Sequence, residues 1–99
     1  MEKIVVHVDA DIGELIPGFL ENRHRDVKTI ISALEYGDYE TILLLGHSMR
    51  GSGRGYGFNE ITSIGKSIET AAKEKNSEDI KRWLGDLSNY LERVEVVYE

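Results

Sequence analysis

The sequence predicts an all-α protein: an antiparallel up-and-down four-helix bundle with a short N-terminal arm. Three observations lead there. Apolar residues recur at steps of three and four along most of the chain, the mark of amphipathic helices. A single proline and 8 % aromatic residues favour helices over a sandwich of short strands. The periodic segments are joined by connections of only about two to five residues, which obliges consecutive helices to pack antiparallel.

Residues 1–10 are read as an arm, since Ile4, Val5, Val6, His7 and Val8 are extended formers and a lone strand has nothing to pair with. The bundle then occupies residues 11–99 as one domain. Asp9 and Asp11 are good helix caps. They precede a stripe of Ile12, Leu15, Ile16, Phe19, Leu20, Val27, Ile30, Ile31 and Leu34. Pro17 interrupts it, which predicts a short helix near 11–16 and a long one over 17–36. Gly37 ends that helix as a left-handed cap, and Asp38 starts the next. Helix two runs from Tyr39 to about Gly53 and dissolves into Gly51-Ser52-Gly53-Arg54-Gly55-Tyr56-Gly57. Helix three begins near Phe58 or Asn59, with Ile61, Ile64, Ile68, Ala71 and Ala72 on one face. Asn76 or Ser77 opens helix four, whose stripe is Ile80, Trp83, Leu84, Leu87, Tyr90, Leu91, Val94 and Val97.

Composition narrows the function. Ninety-nine residues suffice for one core and not for two. The absence of cysteine excludes disulfides and thiolate metal sites and fits a reducing, cytoplasmic compartment. No apolar run is long enough to span a membrane. A net charge of −6 disfavours nucleic-acid binding, which depends on basic patches that neutralise phosphate.

Helix two differs from the others. At about 100° per residue, with Ile42 at 0°, Leu45, Gly46, Met49 and Gly53 cluster about a core direction near 340°. His47 falls near 140°, Arg50 near 80° and Gly51 near 180°, so His47 points away from the core. Leu43 and Leu44 flank it on the exposed side. A neutral imidazole is a good nucleophile near pH 7, and a phosphoryl group on it stays labile. Arg50, one turn on, can balance an arriving negative charge. Gly51 removes a side chain that would obstruct a protein partner. Helix–helix closeness accounts for Gly46 and Gly53 on the core face, but not for Gly51.

The stretch His47-Ser48-Met49-Arg50-Gly51, with Gly57 ten residues after the histidine, resembles the signature of histidine-containing phosphotransfer (HPt) domains. Ile42-Leu43-Leu44-Leu45-Gly46 and Phe58-Asn59-Glu60-Ile61 continue the resemblance in register over about residues 11–95. It implies a phosphorelay carrier: His47 accepts phosphate from a receiver-domain aspartate and passes it to another receiver. Arg50 replaces the family's usual lysine and keeps its charge. The family places a polar residue twenty-two positions after the histidine, which here is Glu69, with Lys73 one turn later as phosphate support. The resemblance further implies a monomer without kinase activity, cofactor or bound metal. Mg2+ is expected only in the partner receiver. The implied partners are receiver domains or a sensor histidine kinase, not nucleic acid or membrane.

Plainer readings compete at several positions. His7 and His24 read as solvated surface residues, and Glu69 with Lys73 as an ordinary i, i+4 pair. The glycines of 51–57 never form a dinucleotide or P-loop pattern, and no strand precedes them. Two functional alternatives stay open: the phosphotransfer domain of a chemotaxis-type histidine kinase, and a receiver-docking bundle that carries no phosphate.

Overall fold

A computed structural model describes residues 2–99. Its order is β1 (Ile4–Val8), a 3-10 turn (Ala10–Leu15), α1 (Ile16–Glu35), α2 (Tyr39–Ser52), a 3-10 turn (Arg54–Tyr56), α3 (Asn59–Lys73), α4 (Ser77–Arg93) and β2 (Val94–Tyr98). The four helices pack as an antiparallel bundle, as the periodicity predicts. Each boundary has a local cause. The Asp9 carboxylate accepts from Asp11 N–H at 2.9 Å and starts the first 3-10 turn. Pro17 stands in the first turn of α1, where its missing N–H costs nothing, so it begins the long helix without kinking it. Gly37 takes φ +67° after α1. Asp38 and Asn76 cap α2 and α4 by accepting from Thr41 N–H and Asp79 N–H, each at 3.1 Å.

The ends of the chain depart from the sequence expectation. Residues 4–8 are extended but not unpaired: β1 lies parallel to β2, with Ile4 opposite Val94 and Val8 opposite Tyr98. Val94 and Val97, expected on the stripe of helix four, belong to this strand because the helix stops at Arg93. The run Val-Glu-Val-Val-Tyr is β-branched and aromatic, and a second strand exists to satisfy it. Arg93 Nε donates to Glu2 O at 2.8 Å, and Glu99 N–H donates to Val8 O at 2.9 Å, closing both ends of the ribbon. Val8 is buried in the bundle core, so the N-terminal segment is part of the fold.

The core is built from Ile16, Phe19, Ile30, Ile42, Met49, Phe58, Ile61, Ile68, Ile80 and Leu87, each buried. The tightest contact is between α2 and α3. A Cβ at Gly46 would lie 2.8 Å from Glu69 N, one at Gly65 2.6 Å from Arg50 N, and one at Gly53 2.6 Å from Thr62 N. These three glycines let two backbones approach at a distance that side chains would forbid.

Candidate functional site

The close approach of α2 and α3 sets the site. Ile42, Gly46, Met49 and Gly53 face inward on α2, as helical arithmetic predicts, and His47 faces out with 61 % of its side chain exposed. Glu69, on the neighbouring α3, is buried, the one charged side chain in that class among the described residues. Its two oxygens have separate partners. Oε2 accepts from His47 Nδ1 at 2.9 Å, and Oε1 pairs with Arg50 Nη1 at 3.1 Å.

This arrangement has a definite chemistry. A buried carboxylate is costly unless each oxygen is engaged, and here both are. Because an ionised carboxylate only accepts, the His47 proton resides on Nδ1. Nε2 is then the basic nitrogen, and among the described residues it has no hydrogen-bond partner. The ring is therefore held by one nitrogen and offers the other to solvent, the second-partner logic that fixes tautomer and direction in a histidine nucleophile. Arg50 uses one amino group on Glu69 and is 42 % exposed, so further guanidinium N–H donors remain for an anion arriving at Nε2.

The other candidates fall around this trio. Gly51 lies in the last turns of α2 with open space where a Cβ would stand, so the helix surface beyond His47 is bare. Leu44 is 59 % exposed on the same side, whereas Leu43 packs partly against the core. Lys73 is exposed at the end of α3 and makes no ion pair or side-chain hydrogen bond among the described residues, so the structure does not join it to the trio. His24 is exposed on α1, and His7 pairs with Glu99 at 2.5 Å at the strand ribbon, far along the chain from α2. No group of three His, Cys, Asp or Glu is placed to hold a metal among the described residues. No described helix is long and apolar enough to cross a membrane.

Two contributors escaped sequence reasoning. Gly65 is the α3 half of the Gly46 contact, and its position on the buried face of an amphipathic helix was the available signal. Thr62 Oγ accepts from Arg54 N–H at 2.7 Å, tying the glycine-rich turn to α3. Beside the site, α1 and α2 enclose a cleft that includes Gly18, Ser48, Ser52 and Tyr56. Arg23 borders it, fixed by Asp26 at 2.8 Å and stacked 4.8 Å from the Phe19 ring centroid. Burial raises the Asp26 carboxyl above its ordinary range, and Arg23 only partly offsets that.

No curated protein and no solved structure matches the chain significantly. The family model described as Hpt domain does, over residues 14–96, and Hpt domains are helical bundles with a histidine phosphotransfer role in phosphorelays. Since that match spans most of the 99 residues and agrees with the observed bundle, this chain belongs to the Hpt domain family.

Proposed function

We propose that this protein is a phosphorelay carrier that accepts a phosphoryl group on His47 from a receiver-domain aspartyl phosphate and returns it to another receiver. The observation that carries the reading is the buried Glu69 carboxylate bonded to Nδ1 of an exposed histidine. In the forward step the Nε2 lone pair attacks phosphorus in line with the acyl oxygen. The N–P bond forms as the P–O bond to aspartate breaks, and the receiver's carboxylate leaves with that electron pair. Glu69 keeps the proton on Nδ1 and stabilises the positive charge that develops on the ring. Arg50 supplies N–H donors to the phosphoryl oxygens. The second transfer reverses this sequence, with another receiver's aspartate as nucleophile. Mg2+ acts in the receiver, and residues 1–99 contain no ATP-binding motif.

The surface around His47 supports a protein donor over a small molecule. The imidazole stands on an open helix face beside Leu44 and the bare surface at Gly51, not within an enclosed pocket. The test is to incubate the chain with acyl-phosphorylated receivers and with phosphoramidate, and to look for acid-labile, base-stable label. His47→Gln is expected to lose all label while costing at most about 1 kcal/mol of stability, since Arg50 still pairs with Glu69. Label persisting in that variant would identify a different acceptor. A wild-type chain that binds receivers but takes label from neither donor would favour the docking-only reading.

A further inference from the structure

The α1–α4 face lies across the bundle from the α2–α3 pair that holds His47 and Glu69. It carries an apolar groove of about 460 Å3, lined by Val27, Ile31 and Leu34 of α1 and by Leu84 and Gly85 of α4. Ile31 stands 48 % exposed there. Gly85 is interior to α4, and a Cβ added to it would meet nothing within 4 Å. Glycine weakens a helix interior relative to alanine, and no contact within the chain accounts for it here. The upper rim of the groove carries one charge of each sign, Glu35 on α1 and Lys81 on α4. Glu35 is in no ion pair among the described residues, and Lys81 only approaches Glu78 at 3.9 Å with 64 % of its side chain exposed.

Against the monomer that the family resemblance implies, we infer that this face joins two copies of the chain in a parallel, two-fold dimer. Helix register supports this pairing. Because α1 and α4 run antiparallel, Glu35 and Lys81 lie at the same end, and one turn lower Ile31 stands level with Gly85. A two-fold axis parallel to the bundle sets α1 of one copy against α4 of the other at equal height. Ile31 then enters the space that the second copy's Gly85 leaves, and Glu35 meets the second copy's Lys81. Each contact occurs twice, as a self-complementary interface requires. An antiparallel pairing would put the charged rims at opposite ends and lose both matches. In the parallel dimer both His47 side chains stay on the outer faces. The inference stands apart from the phosphotransfer reading, and either can fail alone.

Sedimentation equilibrium of the full chain tests it, over concentrations from micromolar to about 1 mM. The expected result is a reversible monomer–dimer equilibrium with a Kd inside that range. Glu35→Lys and Lys81→Glu should each weaken it about tenfold, because each sets like charges together at two symmetric positions. The double exchange Glu35→Lys with Lys81→Glu should restore it to within about twofold. Ile31→Lys should abolish dimerisation. Gly85→Lys should do the same while raising helix propensity, so a loss of self-association in that variant cannot come from unfolding. A chain that remains monomeric at the highest concentration overturns the inference and leaves the groove to a different partner. Dimers that tolerate Ile31→Lys and Gly85→Lys, or charge reversals that the double exchange does not rescue, overturn it as well.

Discussion

Gly65→Ala is a small substitution with a large expected effect. An added methyl would stand 2.6 Å from Arg50 N, 2.7 Å from Met49 Cβ and 2.8 Å from Gly46 O. Two of these atoms belong to helix backbone, so no side chain can rotate away. Relief requires α3 to withdraw from α2 by about 0.8 Å, which carries the 2.6 Å approach to the 3.4 Å where ordinary contact begins. Overpacking of this kind costs about 1–3 kcal/mol. The better helix propensity of alanine returns about 0.8–1 kcal/mol. The net expectation is a loss of up to about 2 kcal/mol, or up to about 15 °C in Tm for a domain of this size. The consequence for the site is sharper. Glu69 sits one turn beyond Gly65, and the same withdrawal stretches its 2.9 Å bond to His47 Nδ1 to about 3.7 Å, beyond hydrogen-bond range. Urea unfolding measures the first effect, and the second is read from the rate of labelling by phosphoramidate and the Nδ1–H signal of His47 in 15N spectra. A Gly65→Ala protein as stable as the parent, with the His47–Glu69 bond retained, would refute the view that this glycine sets the helix spacing.

Two further outcomes follow from the same geometry. Gly51→Leu meets open space, so it should be neutral or stabilising by up to about 1 kcal/mol; it should slow transfer from a receiver about tenfold or more and leave phosphoramidate labelling unchanged. Equal losses with both donors would remove the steric account. Burial, and secondarily the charge of Glu60, push the Tyr90 phenol up to about 12. The folded state therefore holds this proton more tightly than the unfolded chain, whose phenol titrates near 10. That contribution is complete below pH about 10 and is lost as pH rises toward 12. Urea melts across this window should fall more steeply for the parent than for Tyr90→Phe, and parallel declines would show that the phenol is not responsible.

Much of this architecture is legible in the sequence because its causes are local. Pro17, Gly37, Asp38 and Asn76 act on their own neighbours, and the core face of α2 follows from a fixed turn per residue. The β1–β2 ribbon is not legible in that way, because its partners stand some ninety residues apart. Val94 and Val97 also continue the helical spacing of α4, so periodicity alone favours the wrong element; the β-branched composition was the better guide. The site divides along the same line. Exposure of His47 and its closeness to Arg50 are properties of one helix. The meeting of His47 with Glu69 depends on how far apart and at what rotation two helices pack. Only the family resemblance pointed to it, and the same resemblance pointed to Lys73, which the structure leaves outside the trio.

The placement of the glycines explains why this carboxylate can be buried at all. Gly46 immediately precedes His47, and a Cβ on it would lie 2.8 Å from the backbone nitrogen of Glu69 itself. One of the close approaches of the two helices thus falls at the residues that adjoin both members of the hydrogen-bonded pair. Contact between backbones is stiffer than contact between side chains, which can change rotamer. A Glu69 anchored in this way keeps its oxygens within reach of His47 and Arg50. Were α2 and α3 spaced by ordinary side chains, the carboxylate would have to extend to find the imidazole and would lose the burial that makes the bond directional. The helix stability given up at Gly46 and Gly65 is therefore spent on the position of one hydrogen bond. That bond determines which nitrogen of His47 faces solvent.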